Sequence, residues 1–116
     1  MNQLTSIFKL LSDETRLRMM VLLLHEELCV CELSGVLDVP QPRVSKNLSK
    51  LRDLNLVEDE RKEKFVFYKL KEENQLLIET LRNISDSLEN YPQLLQDRKR
   101  LAFKEDILNK CCINCD

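Results

Sequence analysis

Five cysteines carry the most distinctive chemistry in this chain of 116 residues. Cys29 and Cys31 stand in the segment ELCVCEL, and Cys111, Cys112 and Cys115 lie together at the C-terminal end. Thiolates are soft ligands that suit soft ions, and they are also the reactive form in redox chemistry. Where thiols are kept reduced, such a set points to metal or redox chemistry and not to a disulfide framework. Cys112 and Cys115 form a C-x-x-C, which fits either a metal or a redox dithiol. That pair lacks the strand-turn-helix setting that activates a redox enzyme, so a thiol oxidoreductase built on Cys112 and Cys115 is the weaker alternative. Clustered thiols at a polar terminus are not expected in a core. Cys29 and Cys31 set a geometric condition. Side chains two residues apart point to nearly opposite sides of an ideal helix, so the pair shares one ion only if the first turn adjusts. A helix N-terminus favours the thiolate form. On spacing alone, two buried structural cysteines are as good a reading of this pair.

A second set of residues has a different chemistry. Arg43, Lys46, Asn47 and Lys50 share one helical face, while Val44, Leu48 and Leu51 share another. Lys and Arg suit phosphates and guanine edges, and Asn suits adenine. Gln41 and Ser45 complete the candidate DNA contacts on this segment. Net charge is −2, which does not advertise a nucleic-acid partner. The distribution does: residues 41–70 carry eight basic and five acidic groups, whereas the segments on either side are acidic. A local basic face attracts phosphates even on an acidic protein.

These residues need elements to hold them. Apolar periodicity predicts a first helix over Leu4–Leu11, with Leu4, Ile7, Phe8 and Leu11 on one side. A second is predicted from Asp13 to His25, with Asp13 and Glu14 in its first turn and His25 as a cationic cap at its end. A third spans Val30–Leu37. A turn at Asp38-Val39-Pro40 leads to a fourth helix capped by Gln41, with Pro42 first, running to Leu54. Asn55 tolerates the left-handed conformation that ends many helices. Two short strands, Leu56–Glu58 and Phe65–Tyr68, flank the charged stretch Asp59–Lys64 as a hairpin with a solvated tip, where Arg61, Lys62 and Lys64 are further DNA candidates. A fifth helix is predicted over Asn74–Glu89 with the stripe Leu77, Leu81, Ile84, Leu88. Pro92 interrupts, and a sixth helix runs to Asn109. Two short helices joined by a tight turn, the second basic, followed by a hairpin, describe a winged helix-turn-helix: mainly α with a β-hairpin wing. Residues 1–90 are expected to form the DNA-binding and dimerisation domain, and residues 91–116 a C-terminal helix with a cysteine-rich tail. No apolar run approaches the roughly 20 residues of a membrane span, and no secretory signal is visible, so a cytoplasmic protein is expected.

The segments LSDETRLRMMVLL, ELCVCEL, QPRVSKNLSKLRDLNLVEDERK and FVFYKL, in this order, resemble the ArsR/SmtB family of metal-sensing repressors over about residues 4–88. ELCVCEL especially resembles the arsenite-sensing branch and the related cadmium/lead branch. The resemblance implies a homodimer built through the first and fifth helices, repression of its own resistance operon at an operator, and inducer capture at Cys29 and Cys31. Arsenite or antimonite is the implied inducer, with cadmium or lead next. Arsenite is usually held by three thiolates, so Cys111, Cys112 or Cys115 could complete the set. The chain departs from the pattern where some arsenite sensors carry a third cysteine, here Ser34. Asn47 stands in place of the usual His of the recognition helix, and the wing tip lacks its usual Gly. The fifth helix lacks the His and Asp set of the zinc-sensing branch, so a zinc-specific sensor is not expected. No catalytic activity is expected. A thiol-redox-responsive repressor and a metal carrier that never binds DNA are the remaining alternatives.

Overall fold

The computed structural model describes residues 2–104. Helix α1 (Asn2–Leu11) and helix α2 (Glu14–His25) lead into a short strand β1 (Leu28–Cys29), which runs directly into α3 (Val30–Leu37). Helix α4 (Gln41–Asp53) is followed by strands β2 (Val57–Lys62) and β3 (Phe65–Leu70), then α5 (Gln75–Ser85), a single 3-10 turn (Leu88–Asn90) and α6 (Pro92–Leu101). The architecture is the expected one, mainly helical with a hairpin wing. It has one strand more than the sequence predicts. The sheet is antiparallel in the order β1-β3-β2, with Leu28 opposite Tyr68 and Cys29 opposite Phe67.

Local signals explain most boundaries. Asp13 is not in the first turn of α2 but caps it, its carboxylate accepting from the Arg16 amide at 3.0 Å. A side-chain oxygen in that position satisfies one of the helix's orphan donors. Pro40, not Gln41, is the cap residue of α4, and Gln41 opens the helix. Asn55 ends α4 with φ of 62° and Asp38 ends α3 with φ of 57°, both left-handed. The wing is longer than expected: β2 continues to Lys62, which faces Phe65, so Arg61 and Lys62 lie on the strand and the tip is Glu63-Lys64. Glu63 takes the positive φ, 57°, that a Gly would otherwise supply. Helix α5 stops at Ser85, short of the expected Glu89, and Leu88 is buried from the 3-10 turn instead. Helix α6 ends at Leu101 in a turn at Ala102 and Phe103, earlier than expected, and residues 105–109 of the predicted sixth helix lie outside the described residues.

One core joins these elements. Met19, Met20 and Leu22 of α2, Leu33 and Leu37 of α3, Leu48 and Leu51 of α4 and Leu77 and Leu81 of α5 are all fully buried. The apolar stripe of α5 is thus used within the subunit. On α1 the faces divide differently from the predicted stripe: Ile7 and Leu10 are buried, whereas Leu4 and Phe8 are exposed. Leu76 of α5 is exposed too.

His25 corrects an expectation. It ends α2, but it is not a cationic cap. Desolvation first, and the Arg98 guanidinium second, push its imidazole below the ordinary value of 6.5. Its Nε2 meets Ser85 Oγ at 2.9 Å and takes a contact from Arg98. A folded-state value below the unfolded one means that the unfolded chain binds this proton more readily. The stability tied to His25 is therefore intact above the ordinary imidazole value and is lost as pH falls through it. Between about pH 7.5 and 5.5, the melting temperature of the wild type is expected to fall more steeply than that of His25→Gln. Equal slopes in the two proteins would contradict the assignment.

Candidate thiol site and nucleic-acid interface

Cys29 is the junction between β1 and α3. Its backbone is extended (φ −92°, ψ 172°), and it serves as the N-cap of α3 in a capping box. Its side chain accepts from the Glu32 amide, and the Glu32 carboxylate accepts from the Cys29 amide at 3.1 Å. This reciprocal pairing satisfies two orphan donors at once. The sequence spacing C-x-x-E is a variant of that box, with sulfur in place of a hydroxyl, and is the signal by which Glu32 could have been found. Cys29 is outside the helix and Cys31 is inside its first turn, so their directions are not those of two residues on an ideal helix.

The expected thiolate-favouring effect of the helix N-terminus does not prevail. Burial pushes the Cys29 thiol above its usual value; hydrogen bonding from Glu32 pulls it back, and the charge of the Glu32 carboxylate opposes ionisation. Both cysteines are buried, Cys29 at 5% and Cys31 at 6% exposure. The first α4 residue reaches this site: Gln41 Nε2 lies 3.8 Å from Cys31 Sγ. On the other side, Cys29 pairs with β3, and Glu27, two residues earlier, forms an ion pair with Lys62 of the wing. The two cysteines therefore sit where the first helix of the helix-turn-helix, the second helix and the wing converge.

Among the described residues, no three His, Cys, Asp or Glu side chains are grouped to hold a metal ion. Cys29 is a free thiol, Cys31 is disulfide-bonded in this structure and becomes a second soft donor only on reduction, and Cys111, Cys112 and Cys115 lie outside the described residues. Ser34, where a third cysteine would be looked for, has another task. Its hydroxyl donates to the Val39 carbonyl at 2.6 Å and so fixes the turn between α3 and α4.

Helix α4 presents its basic face outward because its other face is locked into the core by Val44, Leu48 and Leu51, each no more than 1% exposed. Gln41, Arg43, Ser45, Lys46 and Lys50 are exposed on it. Asn47 is half-buried and its amide donates one hydrogen to the Arg43 carbonyl at 3.0 Å, which orients a side chain that has a second N–H and Oδ1 to offer a base. The wing candidates are less available. Lys62 is engaged by Glu27, its ammonium also 5.6 Å from the Phe67 ring, and Lys64 sits 5.8 Å from the Phe65 ring. Arg61 Nε donates to the Glu63 carbonyl at the tip. No helix among the described residues is long and apolar enough to cross a membrane.

The family model described as bacterial regulatory protein, arsR family, matches residues 13–59. The chain is 40% identical over 98 residues to the arsenic resistance transcriptional regulator ArsR1 of Pseudomonas putida, a match covering 83% of this chain and 75% of that protein. It is 50% identical over 66 residues to the arsenical resistance operon repressor of Escherichia coli, spanning 55% of this chain and 56% of the relative. Among solved structures, the transcriptional repressor BigR of Xylella fastidiosa superposes with a TM-score of 0.65 at 29% identity, covering 72% of this chain and 83% of that one.

Proposed function

The chain belongs to the arsR family of bacterial regulatory proteins, a family of repressors and not of enzymes, and from that premise we propose that it binds operator DNA as a homodimer and releases it when Cys29 and Cys31 capture arsenite or antimonite. The observation that carries this reading is the position of the two cysteines. Cys29 is tied through its backbone to the wing strand and through its cap to α3, while Cys31 touches the first residue of α4. An ion drawing the two sulfurs together would pull on three DNA-facing parts at once. Both thiols must lose protons to bind it, and thiolate softness favours trivalent arsenic or antimony, with cadmium or lead as weaker competitors. A third sulfur would come from Cys111, Cys112 or Cys115, or from a small cellular thiol in the reducing cytoplasm.

The homodimer is supported by Leu4, Phe8 and Leu76, large apolar side chains left exposed on α1 and α5. A palindromic operator would match such a two-fold assembly.

The deciding experiment is a mobility-shift titration of the reduced protein with its own promoter fragment, paired with sedimentation of the metal-free protein at micromolar concentration. Expected are a dimer and a specific complex that arsenite and antimonite dissolve at lower concentrations than cadmium or lead. No specific shift would point to a carrier. Release by peroxide as readily as by arsenite would point to a redox sensor. A monomer that still binds the palindrome tightly would remove the dimer from the proposal.

A further inference from the structure

A helix end leaves its last carbonyls without partners. The end of α3 lies immediately before the Asp38–Pro40 turn, and its carbonyls are not left to solvent. Arg100 of α6 donates through Nε to the Val36 carbonyl at 2.6 Å and through Nη2 to the Gly35 carbonyl at 2.7 Å. Arg18 of α2 donates to the Leu37 carbonyl at 2.8 Å. Arg18 is held in place by Asp97 of α6, which accepts from its Nε and Nη2, both at 2.9 Å. Asp97 is 1% exposed, and Gln93 donates to the same carboxylate at 3.0 Å. At the other end of α3, Lys104 pairs with Glu32 at 3.4 Å and Glu26 at 2.6 Å.

These interactions have one feature in common: the chain beyond residue 91 holds α3 at both ends. A guanidinium that fills two adjacent carbonyls of a helix terminus fixes that terminus in direction as well as position, because its donors are rigidly forked. The α3 terminus sets the start of the turn, and the turn sets where α4 begins. We propose that α6, which lies beyond residues 13–59 matched by the family model, is a working part of the DNA-reading head, and that Arg100 and Asp97 are positioning residues for operator recognition. Neither faces DNA; each acts through the α3 carbonyls on the orientation of α4. The proposal rests on α4 being the reading helix. It also redraws the expected boundary at residue 90, since the sixth helix then belongs to the head and not to an appendage.

The test compares wild type, Arg100→Ala and Arg100→Lys as full-length reduced proteins, by fluorescence anisotropy, on the operator duplex and on a scrambled duplex across a salt series. Arg100→Ala is expected to lose about tenfold in operator affinity while keeping its affinity for scrambled DNA and its salt slope, because every phosphate keeps its cation. Arg100→Lys keeps the charge but not the fork, and is expected to lose roughly threefold with the same pattern. A slope reduced by about one would make Arg100 a phosphate ligand and overturn the proposal. Equal losses on both duplexes would do the same, since that is what a smaller folded fraction produces. If Arg100→Ala does not fold, Arg100→Lys decides: wild-type discrimination in it rejects the positioning role. Lys46→Ala with Lys50→Ala, run in parallel, separates the premise from the inference. Undiminished operator binding there means that α4 is not the reader, whereas a loss there with none in the Arg100 variants means that only the α6 assignment fails.

Discussion

Cys29→Ser combined with Cys31→Ser is expected to bind the operator as well as the wild type does and to be insensitive to arsenite. In the wild type, allosteric coupling of the usual size would weaken the operator complex about 5- to 150-fold on ion binding; in the double variant arsenite should leave affinity unchanged. The substitution is clean for a structural reason. Cys29 is the N-cap of α3, and its sulfur accepts from the Glu32 amide. Serine is among the preferred residues at that position, so the cap survives and α3 keeps its place. What disappears is the soft donor pair. Truncation before Cys111 makes a complementary prediction: release persists but needs more arsenite, and the penalty grows when no small thiol is present. A tethered thiol that can reach the site contributes an effective concentration of roughly millimolar, which a free thiol must otherwise supply. Full arsenite response in the Cys29/Cys31 variant, with none in the truncated protein, would move the sensing site to the tail.

Lys46→Ala with Lys50→Ala is expected to reduce affinity for operator and scrambled DNA alike, about 10- to 100-fold in total at moderate salt, with the salt slope smaller by about one for each phosphate no longer neutralised. Both side chains are exposed on a helix whose opposite face is anchored by Val44, Leu48 and Leu51, so their removal costs little folding energy. Asn47→Ala should behave differently. Its amide is hydrogen-bonded through one N–H to the Arg43 carbonyl, and its second N–H and Oδ1 can pair with a base edge. The net loss should fall on discrimination, about 1–3 kcal/mol at one base-pair position, with an unchanged salt slope. Unaltered operator affinity and slope in the lysine double variant would show that another surface reads the DNA.

Helix α4 is the part of the candidate site that sequence makes most legible. Its two faces follow from the 3.6-residue period alone, and the same period identifies Val44, Leu48 and Leu51 as core before any partner is known. The turn at Asp38–Pro40, the left-handed Asn55 and the hairpin are legible for a similar reason, since each depends on residues within one or two turns of chain. The wing is longer than its sequence suggests, because the charged run Asp59–Lys62 has no apolar alternation to mark it as a strand. Its pairing with β3 supplies what its side chains do not announce.

By itself, then, the sequence determined the helix-turn-helix with its wing, the outward basic face of α4 and the presence of two cysteines at the start of α3. All of these rest on short-range periodicity, capping and turn chemistry. Tertiary structure decided the rest. Strand β1 exists only because Leu28 and Cys29 find Tyr68 and Phe67 across the sheet, and a segment that short has no sequence signature of its own. Burial, which raises the Cys29 thiol against the pull of the helix terminus, is a property of everything packed around it. The contacts of α6 with α3 and α2 join residues 64 to 79 positions apart in the chain, and an Asp or Arg that ends up buried or clamped looks, in sequence, like any charge on a solvated helix face.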